Sequence, residues 1–384
     1  MIKKENGKPW LEEYIDNLKR DVKISVTGSH SALDICDGAF TEGIKNIVIV
    51  AEGREKTYSK YFLYRKTHDN LEKGFINEII PVKNFTHILN KNVQNKLRDK
   101  KAIMVPNRSL TSYMDIKEVE RSIRIPFFGS RDMLYLEERE MDKNYYWLLE
   151  KANIHTPERI EGPEAIDSLV MVKLPHAVKK LERGFFTCSS FREYREKSGK
   201  LIKRHVITTE DLKNARIERY IIGPVFNFDF FWSPLDKELE LLGIDWRFET
   251  SLDGHVRLPA DEQLSLSDAQ KIPEYTVVGH ASSTLRESSL EKIFEIAESF
   301  VSIAGKEFSK GIIGPFTLQT CIDKDLNPYV YDLSPRIGGG TNIHMYTGHP
   351  YGNSLWRREM STGRRIALEV KRALDTGTLK QVLT

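Results

Sequence analysis

Cysteine is scarce in this chain, whose 384 residues include only Cys36, Cys188 and Cys321. The three cysteines lie far apart, and none of them belongs to a CxxC motif. An odd number at this spacing argues against a disulfide framework and against a zinc site. The pattern is typical of proteins of the reducing cytoplasm.

Long apolar runs are also missing. None approaches the roughly 20 residues that a membrane span requires, and the N-terminal stretch MIKKENGKPW lacks the apolar core of a signal peptide. Basic and acidic residues nearly balance, with 58 Lys and Arg against 55 Asp and Glu, so net charge gives no indication of nucleic-acid binding. We expect a cytoplasmic protein that binds small molecules rather than membranes or nucleic acids.

The first third of the chain alternates apolar strands with helical segments. DVKISVTGS (21–29) and NIVIVAEG (46–53) predict strands, and SALDICDGAFTEG (31–43) between them predicts a helix. AIMVPNRS (102–109) predicts a further strand. These segments indicate a parallel βαβ unit of Rossmann-like type, with its ligand site beyond the carboxyl ends of the strands. No GxGxxG fingerprint follows the first strand, which argues against a nicotinamide cofactor.

Two polar loops follow these strands, GSHS (28–31) and PNRS (106–109). Exposed amides at the start of the following helix would suit an anion, and Ser29 or Ser31 can cap that helix. The alternative is that Ser31 is only a cap and His30 only an exposed loop residue. The residues themselves leave both interpretations open.

The middle of the chain carries a lysine at a strand exit. SLVMVKLP (168–175) predicts a strand that ends near Lys173, and the basic loop HAVKKLERGFF (176–186) follows it. Lys173 either faces solvent or binds phosphate beneath this loop. Further predicted elements are a charged helix at 133–153, a strand with Glu218 and Tyr220, antiparallel strands at 225–234 and 239–250, and an amphipathic helix at 288–308.

Near the C-terminus, IIGPFTLQTCI (312–322) and PYVYDLS (328–334) predict a hairpin. A four-residue turn would put Gln319 directly opposite Asp332, so that one amide and one carboxylate oxygen meet on one face. Such a pair suits Mg²⁺, which completes its coordination with water and phosphate. Arg336 follows and would neutralise a transferring phosphoryl group. The glycines of 338–340 would let backbone amides approach the ligand.

The order of these features resembles the ATP-grasp superfamily. The segments GSHSALDICDGAFTEG, ELLGIDWRFETSLDG, GPFTLQ and DLSPRIGGGTN, with Ser109 at a strand end, resemble more closely the archaeal formate-dependent FAICAR synthetases of purine biosynthesis. The resemblance implies an α/β ATP-grasp fold with an N-terminal Rossmann-like (pre-ATP-grasp) domain. We expect that domain at residues 1–128 and the ATP-grasp domain at 129–384, with a lid at about 129–210.

The resemblance also implies a reaction. Members of that family formylate 5-aminoimidazole-4-carboxamide ribonucleotide (AICAR) with ATP and formate through formyl phosphate, which yields FAICAR on the route to IMP. ATP and Mg²⁺, or Mn²⁺, are the implied cofactors, and a homo-oligomer is the implied assembly.

By the same resemblance, individual positions receive roles. Arg336 would be catalytic, and the magnesium ligands would be Gln319 and Asp332. The residues that contact ATP would be Lys173, Glu218 and Tyr220. The residues that contact the other substrates would be His30, Ser109, Ser251 and Asn342.

Two positions depart from the family pattern. The loop HAVKKLERG is bulkier and more charged than a glycine-rich loop, although Lys179, Lys180 and Arg183 would supply charge instead. Ser251 stands where relatives carry asparagine, which exchanges an amide for one hydroxyl. A paralogue that ligates another carboxylate to a related nucleotide amine, and a non-catalytic nucleotide-binding regulator, are therefore the alternative functions.

Overall fold

The elements of the fold come from a computed structural model that describes residues 9–18, 21–139, 141–174, 185–267, 270–271 and 276–384. The strands in these ranges are β1 (Lys23–Thr27), β2 (Lys45–Ala51), β3 (Arg65–Lys66), β4 (Glu72–Lys73), β5 (Glu78–Val82), β6 (Ala102–Met104), β7 (Arg159–Ile160), β8 (Val170–Lys173), β9 (Phe186–Cys188), β10 (Arg216–Arg219), β11 (Val225–Ser233), β12 (Glu238–Glu249), β13 (Val277–Ser282), β14 (Gly314–Ile322) and β15 (Pro328–Ser334). The α-helices are α1 (Pro9–Leu18), α2 (Ala32–Thr41), α3 (Lys91–Asp99), α4 (Arg108–Tyr113), α5 (Ile116–Ser122), α6 (Tyr145–Lys151), α7 (Phe191–Lys203), α8 (Thr209–Lys213), α9 (Leu252–His255), α10 (Ala260–Ser265), α11 (Glu287–Glu307), α12 (Pro350–Trp356), α13 (Thr362–Asp375) and α14 (Leu379–Val382).

The N-terminal sheet is parallel, with the strand order β5-β2-β1-β6. Alternate residues of β2 enter different cores, since Ile47 and Ile49 pack in one cluster and Val48 and Val50 in another. A strand buried on both faces reads as a continuous apolar run, which is why the sequence reveals it. The predicted βαβ unit is confirmed.

The C-terminal helices return to this N-terminal sheet. Residues of α13 and α14 share one hydrophobic cluster with β1, β2 and α2. Arg365 of α13 is fully buried, and it donates hydrogen bonds to Glu240 of β12 and to Glu369. This ion-pair group ties α13 to the second large sheet. The division of the chain at residue 128 stays a prediction.

The second large sheet has the order β13-β12-β11-β14-β15, and all its neighbouring strands are antiparallel. Phe230 of β11 stacks on Phe316 of β14, and Phe316 in turn contacts Phe300 of α11. α11 therefore covers one face of the sheet, as the sequence predicts. Because side chains alternate along a strand, Asn227 and Asp229 of β11 emerge on the other face.

A smaller sheet has the order β7-β10-β8-β9, and its strands come between those of the two larger sheets in the sequence. The single helix predicted at 133–153 is wrong: the structure has a 3₁₀ helix at Arg131–Glu137 and the separate α6. The physical reason is a cap, since the Asn144 side chain accepts a hydrogen bond from Tyr146 N and starts a new helix. None of the helices in the described part of the chain has the length and apolar character needed to cross a bilayer.

Candidate active site

A cleft of about 1780 Å³ is lined by residues of the parallel sheet's loops, the smaller sheet and the antiparallel sheet. Seven of the predicted site residues line it, namely His30, Lys173, Glu218, Tyr220, Gln319, Asp332 and Arg336. The other three, Ser109, Ser251 and Asn342, are not among the lining residues. The basic loop predicted at 176–186 lies, as far as residue 184, outside the described residues.

Lys173 ends β8 and is only 6% exposed, so it does not face bulk solvent. Its ammonium group lies 2.5 Å from a carboxylate oxygen of Glu218 and donates to Tyr146 Oη at 2.9 Å and to the Tyr331 carbonyl at 3.0 Å. Burial lowers the pKa of Lys173, although Glu218 opposes that shift. Burial also opposes ionisation of Glu218, but Lys173 and Arg216 outweigh it and hold the pKa of Glu218 below its ordinary value. The two opposite charges therefore stabilise each other in a site where burial opposes both.

Tyr220 lies one residue beyond the end of β10, not within the strand as predicted. It is half-buried, and it lines the cleft together with Glu218. Side chains two residues apart in an extended chain point the same way, so both reach the same wall.

Gln319 of β14 pairs with Asp332 of β15, which confirms the predicted register. The predicted four-residue turn is wrong, because Ile322 pairs with Pro328 and leaves five residues between the strands. A bulge at Tyr331 then restores the pairing of Gln319 with Asp332. The bulge also directs the Tyr331 carbonyl to Lys173.

Two arginines flank the paired Gln319 and Asp332. Arg247 of β12 donates to Gln319 Oε1 at 3.1 Å and to Tyr331 Oη at 2.9 Å. Arg139 lies 3.5 Å from a carboxylate oxygen of Asp332. Gln319 and Asp332 thus lie beside two guanidinium groups that would also attract an anionic ligand.

Arg336 is 5% exposed and is held by Glu137, with 2.9 Å between Nε and a carboxylate oxygen. Arg108, the first residue of α4, pairs with the same carboxylate. Burial opposes ionisation of Glu137, but Arg336 and Arg108 keep its pKa below the ordinary value. Glu137 therefore joins the loop after β15 to the N-terminal sheet.

The glycines after Arg336 lie against a buried acidic pair. A Cβ on Gly338 would lie 2.7 Å from Asp229 Oδ1, and a Cβ on Gly340 would lie 2.6 Å from Asp245 Oδ1. Such distances exclude any side chain at these two positions. That the glycines let a ligand approach stays a prediction: Gly338 and Gly339 line the cleft, and a Cβ on Gly339 would only reach van der Waals contact with the His30 ring at 3.6 Å.

One member of this acidic pair, Asp229, has a shifted pKa. Burial raises the pKa of Asp229 well above its ordinary value, and repulsion from Asp245 adds to this shift. Thr317 Oγ1 donates to Asp229 at 2.7 Å, and Asn227 Nδ2 donates to Asp245 at 2.9 Å. Asp229 therefore holds a proton more readily than an ordinary aspartate does.

The loops after β1 and β6 meet, as the sequence predicts for neighbouring parallel strands. Asn107 Nδ2 donates to the carbonyls of Thr27, Ser29 and His30 at 2.9–3.0 Å. Ser109 is fully buried and donates to Asn107 Oδ1 at 2.5 Å. His30 is exposed and lines the cleft. Ser109 is buried and does not line it.

Asn342 and Ser31 connect the glycine loop with the start of α2. Asn342 Oδ1 accepts a hydrogen bond from Asp34 N at 3.1 Å, and Ser31 Oγ donates to the Gly338 carbonyl at 2.5 Å. Ser31, one of the two predicted caps, occupies the N-cap position of α2, but its side chain makes no capping bond with the helix. Ser251 precedes α9 with a positive φ of 57°.

Several site residues were missed from the sequence: Glu137, Arg139, Arg247 and His280, which line the cleft, and the buried Asp229 and Asp245 beneath the glycine loop. For the strand residues a signal was present. Polar and aromatic residues alternate in NFDF (227–230) and DWRF (245–248), which marks a sheet with one polar face. No local pattern indicates Glu137, because its partner lies 199 residues away.

Two family models match the chain, a protein of unknown function (DUF1246) over residues 24–160 and a domain of unknown function (DUF1297) over residues 193–384. Named relatives are 5-formaminoimidazole-4-carboxamide-1-(beta)-D-ribofuranosyl 5'-monophosphate synthetases. The one from Methanobrevibacter smithii is 37% identical over 97% of both chains. The one from Methanocaldococcus jannaschii is 37% identical over 98% of this chain and 99% of its own.

Solved structures agree with these relatives. The IMP biosynthesis protein PurP from Thermococcus kodakaraensis has a TM-score of 0.70 and 28% identity over 94% of this chain and 100% of its own. N5-Carboxyaminoimidazole synthetase from Staphylococcus aureus, complexed with ADP, has a TM-score of 0.58 over 92% of this chain and 78% of its own, and at 14% identity it shows the fold alone. The α/β ATP-grasp fold is confirmed, and the chain belongs to the family of 5-formaminoimidazole-4-carboxamide-1-(beta)-D-ribofuranosyl 5'-monophosphate synthetases.

Proposed function

We propose that this protein catalyses the ATP- and formate-dependent formylation of AICAR to FAICAR, a step of IMP biosynthesis. One observation carries the proposal: a row of cationic side chains and the paired Gln319 and Asp332 line the same cleft as His30. The cations are Arg139, Lys173, Arg247 and Arg336. The names of the relatives supply the identity of the product.

The cations suit a polyphosphate because each is already oriented. Lys173 is held by Glu218, and Arg336 by Glu137, at distances of 2.5 and 2.9 Å. Phosphoryl transfer depends chiefly on positioning and charge neutralisation, so fixed charges lower its barrier without reorganising during the reaction. Glu218 and Tyr220 would contact the adenosine of the same ATP.

A metal ion fits the donor set at Gln319 and Asp332. Both side chains offer oxygen, the ligand that Mg²⁺ and Mn²⁺ prefer. No three His, Cys, Asp or Glu side chains of the described ranges converge as a metal site. Phosphate oxygens would therefore complete the coordination sphere. When bound, such an ion would neutralise phosphate charge.

Formylation would proceed in two steps. An oxygen of formate attacks the γ-phosphorus of ATP and ADP leaves, with Arg336 facing the transferred group. The amine of AICAR then attacks the formyl carbon, and inorganic phosphate leaves. Formyl phosphate hydrolyses readily, so the cleft must exclude water between the steps.

The ribonucleotide would lie on the side of His30. His30 contacts it directly, and Ser109 supports the same loop through Asn107. Ser251 and Asn342 complete the proposed substrate contacts, Asn342 through the start of α2. The proposal includes a cytoplasmic homo-oligomer, with an N-terminal domain at 1–128, an ATP-grasp domain at 129–384 and a lid at about 129–210.

The decisive assay mixes purified protein with Mg-ATP, formate and AICAR, and measures ADP and FAICAR. We expect both products in equal amounts, and neither when formate or AICAR is omitted. ADP that forms only with another carboxylate or amine would instead identify a paralogue. ATP binding without turnover by any substrate pair would identify a regulator.

A further inference from the structure

A buried carboxylate orients a cleft histidine. Asp245 of β12 is fully buried, and its Oδ1 lies 2.5 Å from Nδ1 of His280 on β13. Asn227 Nδ2 donates to the same oxygen at 2.9 Å and fixes the carboxylate. A histidine whose Nδ1–H donates to a carboxylate has Nε2 as its proton acceptor. Among the described residues, no hydrogen bond engages that nitrogen.

His280 lies where the two halves of the site meet. Its side chain is 18% exposed and lines the cleft. A Cβ on Gly340 would lie 2.5 Å from its Nδ1, and a Cβ on the preceding Gly339 would lie 3.6 Å from the His30 ring. The glycine loop that follows Arg336 thus lies against both His280 and His30.

We propose that His280 is the catalytic base of formyl transfer and that Asp245 is its positioning residue. The inference rests on the proposed function. The amine nitrogen forms a bond to the formyl carbon, and the carbon–oxygen bond to phosphate breaks, with its electron pair leaving on inorganic phosphate. The proton that the nitrogen loses goes to Nε2 of His280. Asp245 stabilises the imidazolium that results.

The neighbouring groups are poorer candidates for this proton. Arg247 pairs with His280 across the sheet and has no acceptor atom. Burial lowers the pKa of His344 to about 4, so that side chain is a weak base. His30 bonds through Nδ1 to the Ser29 hydroxyl at 2.8 Å, which stabilises an imidazolium less than a carboxylate does.

The test separates the two chemical steps. Hydroxylamine traps formyl phosphate as formohydroxamate without AICAR, and it requires no enzymic base. In His280→Asn the amide retains a donor towards Asp245 but has no basic nitrogen. We expect FAICAR formation to fall by about 100-fold or more, while hydroxamate formation persists. Added imidazole should restore part of the turnover of His280→Ala.

The matched control is His68→Asn, because the His68 side chain is 87% exposed.

Three results would overturn the inference. If His280→Asn forms FAICAR at the wild-type rate, His280 is not the catalytic base. A higher KM for AICAR at an unchanged kcat would make His280 a binding residue only. Parallel loss of hydroxamate would make its role structural. If the wild-type protein forms neither hydroxamate nor FAICAR, the proposed function itself fails, and the inference fails with it.

Discussion

Charged side chains dominate one wall of the cleft, whereas on the wall from the parallel sheet neutral hydrogen bonds join the two loops, beside the ion pair of Arg108 with Glu137. On the first wall, Lys173 and Arg336 are each paired with a buried carboxylate. On the second, Asn107 connects the two loops through backbone carbonyls and the Ser109 hydroxyl. The charged wall is built to receive an anion, and the neutral wall is built to hold a loop in shape.

The two walls differ in how much stability is lost when one partner of an interaction is removed. A buried charge that loses its counterion costs several kcal/mol, whereas a neutral hydrogen bond contributes about 1 kcal/mol. Substitutions on the charged wall should therefore have large effects, and those on the neutral wall small ones. Four substitutions test this contrast.

Asp332→Asn should have the largest effect on turnover. It removes the one carboxylate of the proposed metal pair, and a bound metal ion supplies several kcal/mol of transition-state stabilisation, so kcat should fall by at least about 100-fold. ADP formation at saturating Mg-ATP measures this, and circular dichroism checks that the fold is retained. Asp325→Asn, in the exposed hairpin turn, is the control. Equal rates in both variants would remove Asp332 from the metal site.

Glu137→Gln should have the largest effect on stability. The substitution leaves the Arg336 guanidinium buried without its carboxylate, so the free energy of unfolding should fall by about 3 kcal/mol at pH 7. Urea unfolding measures this. Glu118→Gln, whose carboxylate makes an exposed pair with Arg121, is the control.

The same pair gives a pH dependence. Because the folded pKa of Glu137 is lowered, its contribution is present above the ordinary glutamate pKa of about 4.3 and is lost as pH falls through the folded value. The difference in stability between the wild type and Glu137→Gln should therefore shrink below about pH 4. A difference that stays constant down to pH 2 would contradict the ion-pair explanation.

His30→Ala should have an intermediate effect confined to one substrate. His30 lines the cleft on the wall of the parallel sheet, so AICAR affinity should fall about 10-fold, or about 1.4 kcal/mol, with ATP affinity unchanged. Calorimetric titration with each nucleotide measures this. Weaker ATP binding with intact AICAR binding would reverse the assignment of the two walls.

Ser109→Ala should have the smallest effect. It removes the neutral hydrogen bonds of one hydroxyl, to Asn107 and Thr27, so the free energy of unfolding should fall by about 1–2 kcal/mol. Thermal unfolding measures this, with Ser59→Ala in an exposed segment as the control. A loss as large as that of Glu137→Gln would erase the contrast between the walls.

Much of the fold was predictable because its signals are local. The apolar runs of β1 and β2 and the spacing of α11 predict their elements directly. The hairpin shows the limit of this. Asp323 accepts bonds from Asp325 N and Asn327 N and enlarges the turn to five residues. The register prediction for Gln319 and Asp332 holds only because the bulge at Tyr331 compensates for that extra residue.

The sequence by itself determined which elements form and which side chains could meet across the hairpin, since periodicity and turn chemistry act over a few residues. The tertiary structure alone decided how the site is charged. Glu137 meets Arg336, and Asp229 and Asp245 lie beneath Gly338 and Gly340, only when distant segments pack together. The physical reason is that burial and counterions set the charge of a group, and both depend on the folded chain.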